Sequence, residues 1–186
     1  LSDIDLDGDL DLIAIESEGS EQFYCYLNNS SESDIQFTNA FTFSQNDGSS
    51  SRTLAIADFD NDGDQDVFIP RKEGKNWLFV NQTLTFDGFN YIYNENPEEL
   101  FIEMATQHGV SDESILSTGS TGYGAAWADY DNDNDFDLYL TNWGRNRLFK
   151  NNNQSFENIG ANTTLESDSL SNGAGWGDFN NDGFID

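Results

Sequence analysis

Residues 58–66 read DFDNDGDQD. Five carboxylates stand on alternate positions of nine, with no basic residue among them. Like charges this close repel, so a folded loop of this composition calls for a cation. The pattern returns as DIDLDGDLD from Asp3, DYDNDNDFD from Asp129 and DFNNDGFID from Asp178. Self-similarity at intervals of roughly 50 to 70 residues marks an array of like units, as in propellers and solenoids.

The flanks repeat as well. LAIAD, AAWAD and AGWGD lead into the three later loops, and DLIAI, DVFIP and DLYLT leave the first three. FYCYLNN, NWLFVNQ and NRLFKNNN follow, then segments centred on Phe37, Phe86 and Phe156. Short aromatic and β-branched runs bounded by Asn, Asp and Gly predict strands. Four strands per repeat predict an all-β chain of four-stranded antiparallel propeller blades. The repeats are expected at about 1–50, 51–100, 101–165 and 166–186. Residues 87–100 read as a rim insertion, and NPEELFIEMATQHGV as a short helix or an extended edge. Gly119, Gly122 and Gly124 read as turn and strand-entry glycines; no Lys follows them to make a phosphate cradle.

Within each loop, side chains at positions 1, 3, 5 and 9 converge if the chain turns tightly, and position 7 turns its backbone carbonyl inward. This gives Asp3, Asp5, Asp7 and Asp11 with the carbonyl of Asp9 in loop one, and Asp58, Asp60, Asp62 and Asp66 with that of Asp64 in loop two. Loop three offers Asp129, Asp131, Asp133 and Asp137 with Asp135, and loop four Asp178, Asn180, Asp182 and Asp186 with Phe184. Gly63 at position 6 supplies the positive φ of the turn, and Asn134, its counterpart in loop three, is the best tolerated substitute. Hard oxygen donors suit Ca²⁺ better than Mg²⁺, which demands a tight octahedron. No Cys or His stands at a ligand position, which disfavours zinc and copper. Loop four brings one charge fewer and is expected to be the weakest site. An EF-hand would need Glu at position 12, where Ala14, Ile69 and Leu140 stand. Thrombospondin-type calcium repeats would need many cysteines, and Cys25 is alone.

The stretch GYGAAWADYDNDNDFDLYLTNWGRNRLFKNNNQSFENIG (122–160), with FIEMATQHGVSDES before it and the echo FENIGANTTLESDS, resembles FG-GAP/VCBS repeat β-propellers. It is similar to the cartilage acidic protein relatives and to the calcium-binding blades of integrin α-type propellers. The resemblance implies Ca²⁺ in a hairpin between blade strands, held by the residues named above. It also implies a ring of about seven blades, of which this chain would be an arc. The chain starts without Met or leader and is expected to be a mature product or an excised segment.

A formal charge of −28, with only seven Lys and Arg, argues against nucleic acid and anionic membranes as partners. No apolar run is long enough to span a bilayer. His108 is the sole His and pairs with no nucleophile in the sequence; Cys25 lies in a strand pattern. Trp127 and Trp176, each two residues before a loop, are expected to pack between blades; Trp77 and Trp143 are freer, with core or rim packing still favoured. Sequons stand at Asn28, Asn29, Asn81, Asn153 and Asn162, of which Asn81 and Asn153 follow equivalent strands. The expected function is a non-catalytic, calcium-stabilised scaffold or adhesion module outside the cell or on its surface. Its partner would be protein or glycan, and it could assemble with further blades or copies. The alternatives are the propeller of a polysaccharide-active enzyme and a glycosylated fibre-forming surface protein. Glycoside cleavage would need carboxylates facing one cleft, whereas most of these acids are committed to loops.

Overall fold

Val67-Phe68-Ile69 and Trp77-Leu78-Phe79-Val80 are unbroken apolar runs, and all seven side chains are buried. A strand can bury every residue only if both faces of its sheet are covered. The computed structural model, which describes residues 2–16, 21–86, 90–94, 96, 99–112, 121–166 and 169–186, shows this arrangement. Strands β4 (Ala55–Ala57), β5 (Asp66–Ile69), β6 (Trp77–Asn81) and β9 (Phe101–Glu103) form a four-stranded sheet between two others. One neighbour is the three-stranded sheet of β1 (Leu12–Glu16), β2 (Glu21–Asn28) and β3 (Phe37–Gln45). The other is the four-stranded sheet of β10 (Thr121–Ala128), β11 (Asp137–Trp143), β12 (Arg147–Asn151) and β13 (Phe156–Asn158). All pairings are antiparallel between consecutive strands of each sheet. The chain is all-β and blade-like, as the sequence predicts.

Alternation along β5 and β6 divides the core in two. Val67, Ile69, Trp77 and Phe79 face the first sheet and pack with Ile4, Phe23, Cys25 and Phe101. Phe68, Leu78 and Val80 face the third sheet and pack with Phe59, Leu138, Leu140, Phe149 and Phe156. Phe23 stacks on Phe79 with ring centroids 4.4 Å apart. Gly122 and Gly124 lie inside β10, not at a turn. A Cβ on Gly122 would come within 3.0 Å of Pro70 Cβ, and one on Gly124 within 2.6 Å of Thr141 Oγ1. Bare backbone is what lets neighbouring segments approach here. Gly119 lies outside the described residues.

The second blade departs from the expected strand order. Asn28 pairs with Phe37, and Asn151 with Phe156. The matching partner of Asn81 is Phe101, so β9 is the fourth strand and Phe86 is not its centre. Leu84–Phe86 (β7) instead pairs with Tyr91–Tyr93 (β8) as a separate hairpin. The stretch read as a helix or an edge is both: β9, then the single turn α1 (Ala105–His108). No strand forms over the AGWG run before loop four, although Gly177 and Asp186 exchange backbone hydrogen bonds.

At the ends of the blades away from the acidic loops, Arg71 is fully buried between the first two sheets. It bonds Glu21 Oε2 at 2.6 Å and Asp47 Oδ1 at 2.7 Å, and lies 4.0 Å from the Trp77 ring centroid. Ser51 also donates to Glu21. No helix among the described residues is long and apolar enough to cross a membrane.

Candidate metal centres

Each acidic stretch closes on itself by contacts to backbone N–H groups. In loops two to four the carboxylate at position 1 accepts the N–H groups of positions 5 and 6, and in loop one that of position 6. Asp58 does so from Asp62 and Gly63, both at 3.1 Å. Asp129 does so from Asp133 and Asn134 at 3.0 Å, and Asp178 from Asp182 and Gly183. Asp3 takes the N–H of Gly8 at 3.1 Å. Position 5 then accepts the N–H of position 7 in every loop, as Asp7, Asp62, Asp133 and Asp182. Two left-handed residues make the turn. Position 6 is one of them, as expected: Gly8, Gly63, Asn134 and Gly183 all have positive φ. The other is position 4, which the sequence reading passed over: Leu6, Asn61, Asn132 and Asn181 lie at φ of 58° to 61°. Asn in three of the four was the available signal, since Asn tolerates this conformation.

Position 9 has a second task. Asp66 Oδ2 accepts the N–H of Phe59 at 3.1 Å, while its Oδ1 accepts that of Asn81 at 2.9 Å. Asp11 does the same with Ile4 and Asn28, and Asp137 with Tyr130 and Asn151. Each of these aspartates therefore ties its loop to the third strand position of its blade. A carboxylate oxygen has a further lone pair for a cation after accepting one such bond.

The strand residue in this pairing is always Asn, and its side chain reaches further. Asn81 Nδ2 donates to the carbonyls of Gln65 in its own loop and Ile4 in the preceding one. Asn151 Nδ2 donates likewise to Phe136 and Phe59. Loops two and three also touch directly, through Asn61 Nδ2 to the Asn134 carbonyl at 3.1 Å and to Asp135 Oδ1 at 2.9 Å. The β7–β8 hairpin bridges loops one and two: Thr83 Oγ1 donates to the Ile4 carbonyl, Tyr93 Oη to that of Asp5, and the Leu84 N–H to Asp64 Oδ2.

Among the described residues, three groups of carboxylates bring one oxygen each to within 4.8 Å of one another: Asp3, Asp5 and Asp11; Asp58, Asp60 and Asp62; Asp129, Asp131 and Asp137. Loop four keeps the turn but gathers no such group. Asp3 Oδ1, Asp60 Oδ1 and Asp131 Oδ1 are buried without a hydrogen-bond partner. Such atoms are costly to leave unsatisfied, and a cation at the centre of each group would satisfy them. The all-oxygen donor set fits a hard divalent ion.

Electrostatics agree with that fit. Burial, then the charges of Asp62 and Asp58, pushes the Asp60 carboxyl up to about 6. Burial raises Asp64 to about 8, and raises Asp66 well above the usual carboxylate range with Asp60 adding to it. Asp5 and Asp11 in loop one are also raised, first by burial. In loop three, burial raises Asp137 to about 6. Asp133 moves the other way, held down by the N–H of Asp135 and by Lys150.

The FG-GAP-like repeat family matches residues 3–69 and 129–186. The chain belongs to that family. Each matched range opens on an acidic loop and runs through the strands to include the next loop. No curated protein sequence matches the chain.

Other singled-out residues serve packing. Trp127 packs beside Phe59, Phe68 and Phe156, and Trp176 beside Tyr130 and Tyr139. Trp77 is in the core; Trp143 is exposed at the rim and stacked on Tyr123 at 4.5 Å. Cys25 is fully buried, and burial pushes its thiol up to about 12, which leaves no thiolate for chemistry at neutral pH. His108 Nδ1 lies 2.6 Å from the Gln154 carbonyl, against the Phe59 ring. The sequon at Asn81 needs correction: its amide is wholly buried in the blade joint and leaves no room for a glycan. Asn29, Asn153 and Asn162 are exposed.

Proposed function

We propose that this chain is a calcium-stabilised, non-catalytic interaction scaffold that works outside the cell or at its surface. FG-GAP repeats and blade-like sheets support the scaffold. The observation that carries calcium is the buried, unpartnered oxygen in each of three acidic loops, at Asp3, Asp60 and Asp131. Bound Ca²⁺ supplies positive charge where carboxylates otherwise repel, and it holds the connection between the first two strands of a blade. Loops one to three are the principal sites, and loop four the weakest. The location follows from calcium supply: sites of modest affinity, about 10⁻⁴–10⁻³ M, fill outside cells and not in resting cytosol. Partners of the scaffold are protein or glycan, and its blades associate with further blades or copies.

Isothermal calorimetry of the metal-stripped protein tests this reading. Ca²⁺ is expected to release or absorb heat with a stoichiometry of three or four, and Zn²⁺ to bind more weakly. Absence of a Ca²⁺ response, or preference for Zn²⁺, overturns it.

A further inference from the structure

One strand position separates the third loop from the others. The residue before the joint Asn is Leu27 in the first blade, Val80 in the second and Lys150 in the third. Leu27 and Val80 pack with the cores. The Lys150 ammonium instead reaches into loop three, where it bonds Asp131 Oδ2 and lies 3.2 Å from Asp133 Oδ2. Asp131, at position 3, is one of the three carboxylates gathered in loop three, and Asp133 is its neighbour at position 5. Among the described residues no Lys or Arg makes an ion pair with the carboxylates of loop two.

We propose that Lys150 is a tethered counter-ion that sets the metal affinity of loop three, holding the loop shut when calcium is low and yielding to Ca²⁺ as it rises. The inference rests on the calcium reading above. Two observations make exchange feasible. Asp131 Oδ1 stays buried and unpartnered beside the ammonium, so one oxygen still faces the centre of the group. The lysine is also partly exposed, with 28% of its side chain open to water, and its long stem can withdraw without disturbing the core. A divalent ion entering the loop must overcome the ammonium's repulsion and the loss of its two contacts. Loop three therefore fills at higher calcium than loop two, and without metal it is less self-repelling. A chain with both kinds of loop responds to calcium in two stages.

Backbone amides at position 6 report each loop separately, through Gly63 for loop two and Asn134 for loop three. Calcium titration of the ¹⁵N-labelled protein is expected to move Gly63 first. Lys150→Gln should lower the Asn134 midpoint by about fivefold, the scale of one partly exposed ion pair, and leave Gly63 in place. Lys150→Arg, which keeps the charge, should leave both near their original midpoints. In chelator, Lys150→Gln should melt below the parent protein, with the gap closing in saturating calcium. An unmoved Asn134 midpoint in Lys150→Gln, an Asn134 amide that never responds while Gly63 does, or no difference in chelator overturns the role of Lys150 alone. Silence of both amides overturns the calcium reading, and the lysine proposal with it.

Discussion

Asp64 Oδ2 accepts the backbone N–H of Leu84 at 2.8 Å, which anchors the seventh residue of loop two to the hairpin that follows β6. The side chain of Asp64 is buried and holds structure, whereas that of Asp60 lies in the candidate metal group. The two aspartates should therefore differ in kind. Asp60→Ala is expected to abolish most of the calcium-dependent rise in melting temperature and to be nearly neutral or stabilising in EGTA. Asp64→Ala should lower the melting temperature in both conditions, because its hydrogen bond is present with or without metal. Thermal melts of both variants in EGTA and in calcium check this. Identical behaviour would show that loop two does not distinguish ligand from anchor.

Asn81 is the most economical place to cut between the first two blades. Its removal takes its donor from the Gln65 carbonyl and leaves the buried Ile4 carbonyl with Thr83 Oγ1 alone. Asn81→Ala is expected to lose about 1–3 kcal/mol in urea unfolding. Asn152→Ala, at an exposed position nearby in the equivalent blade, should change stability by less than about 0.5 kcal/mol.

Stability in chelator should fall as pH rises. An aspartate with an ordinary value of 3.8 and a folded value near 6, such as Asp60 or Asp137, keeps its proton in the folded chain and loses it in the unfolded one between those values. Rising pH then favours unfolding through that window, and Asp64 extends it to about 8. The metal-free protein is expected to melt highest near pH 4–5 and progressively lower toward pH 8. Calcium, which binds the ionised form, should flatten or reverse the slope. Melting curves across this range, with and without EGTA, test the sign.

Leu6 is a misfit. It stands at φ 61° where the other three loops place Asn, and it is 37% exposed, so little burial offsets the strain. Leu6→Asn is expected to stabilise the protein by about 1 kcal/mol, measured by denaturant unfolding in saturating calcium. Asn61→Leu, the reverse change in loop two, should destabilise by at least as much, since it also removes the contacts to Asn134 and Asp135.

The period of the acidic stretches and the short aromatic and β-branched runs around them were enough to read blades and loops from the sequence. Both are local signals: the loop carboxylates sit two residues apart, and each run is bounded by Asn, Asp or Gly close by. What escaped was relational. Phe86 and Phe101 look alike as fourth-strand centres, and only the pairing of Phe101 with Asn81 decides between them. The double role of Asp66, as candidate ligand and as acceptor for Asn81, spans 15 residues. Lys150 lies 19 residues from Asp131, in a strand whose counterparts are aliphatic. The sequon at Asn81 misled because the motif marks a recognisable tripeptide and says nothing of where the amide points.

The Asn joints give the array a direction. The second and third blades each present a side-chain amide to the loop behind, at Asn81 and Asn151, and the accepting carbonyls, Ile4 and Phe59, belong to the earlier blade. Donor and acceptor sit on opposite edges, as hook and eye do on a fastening tape. Blades built this way join only head to tail: two leading edges would set amide against amide, and two trailing edges carbonyl against carbonyl. Any growth of the array, by added repeats or by a second molecule using the same joint, is therefore polar, and such contacts either close into a ring or continue as a strand of molecules.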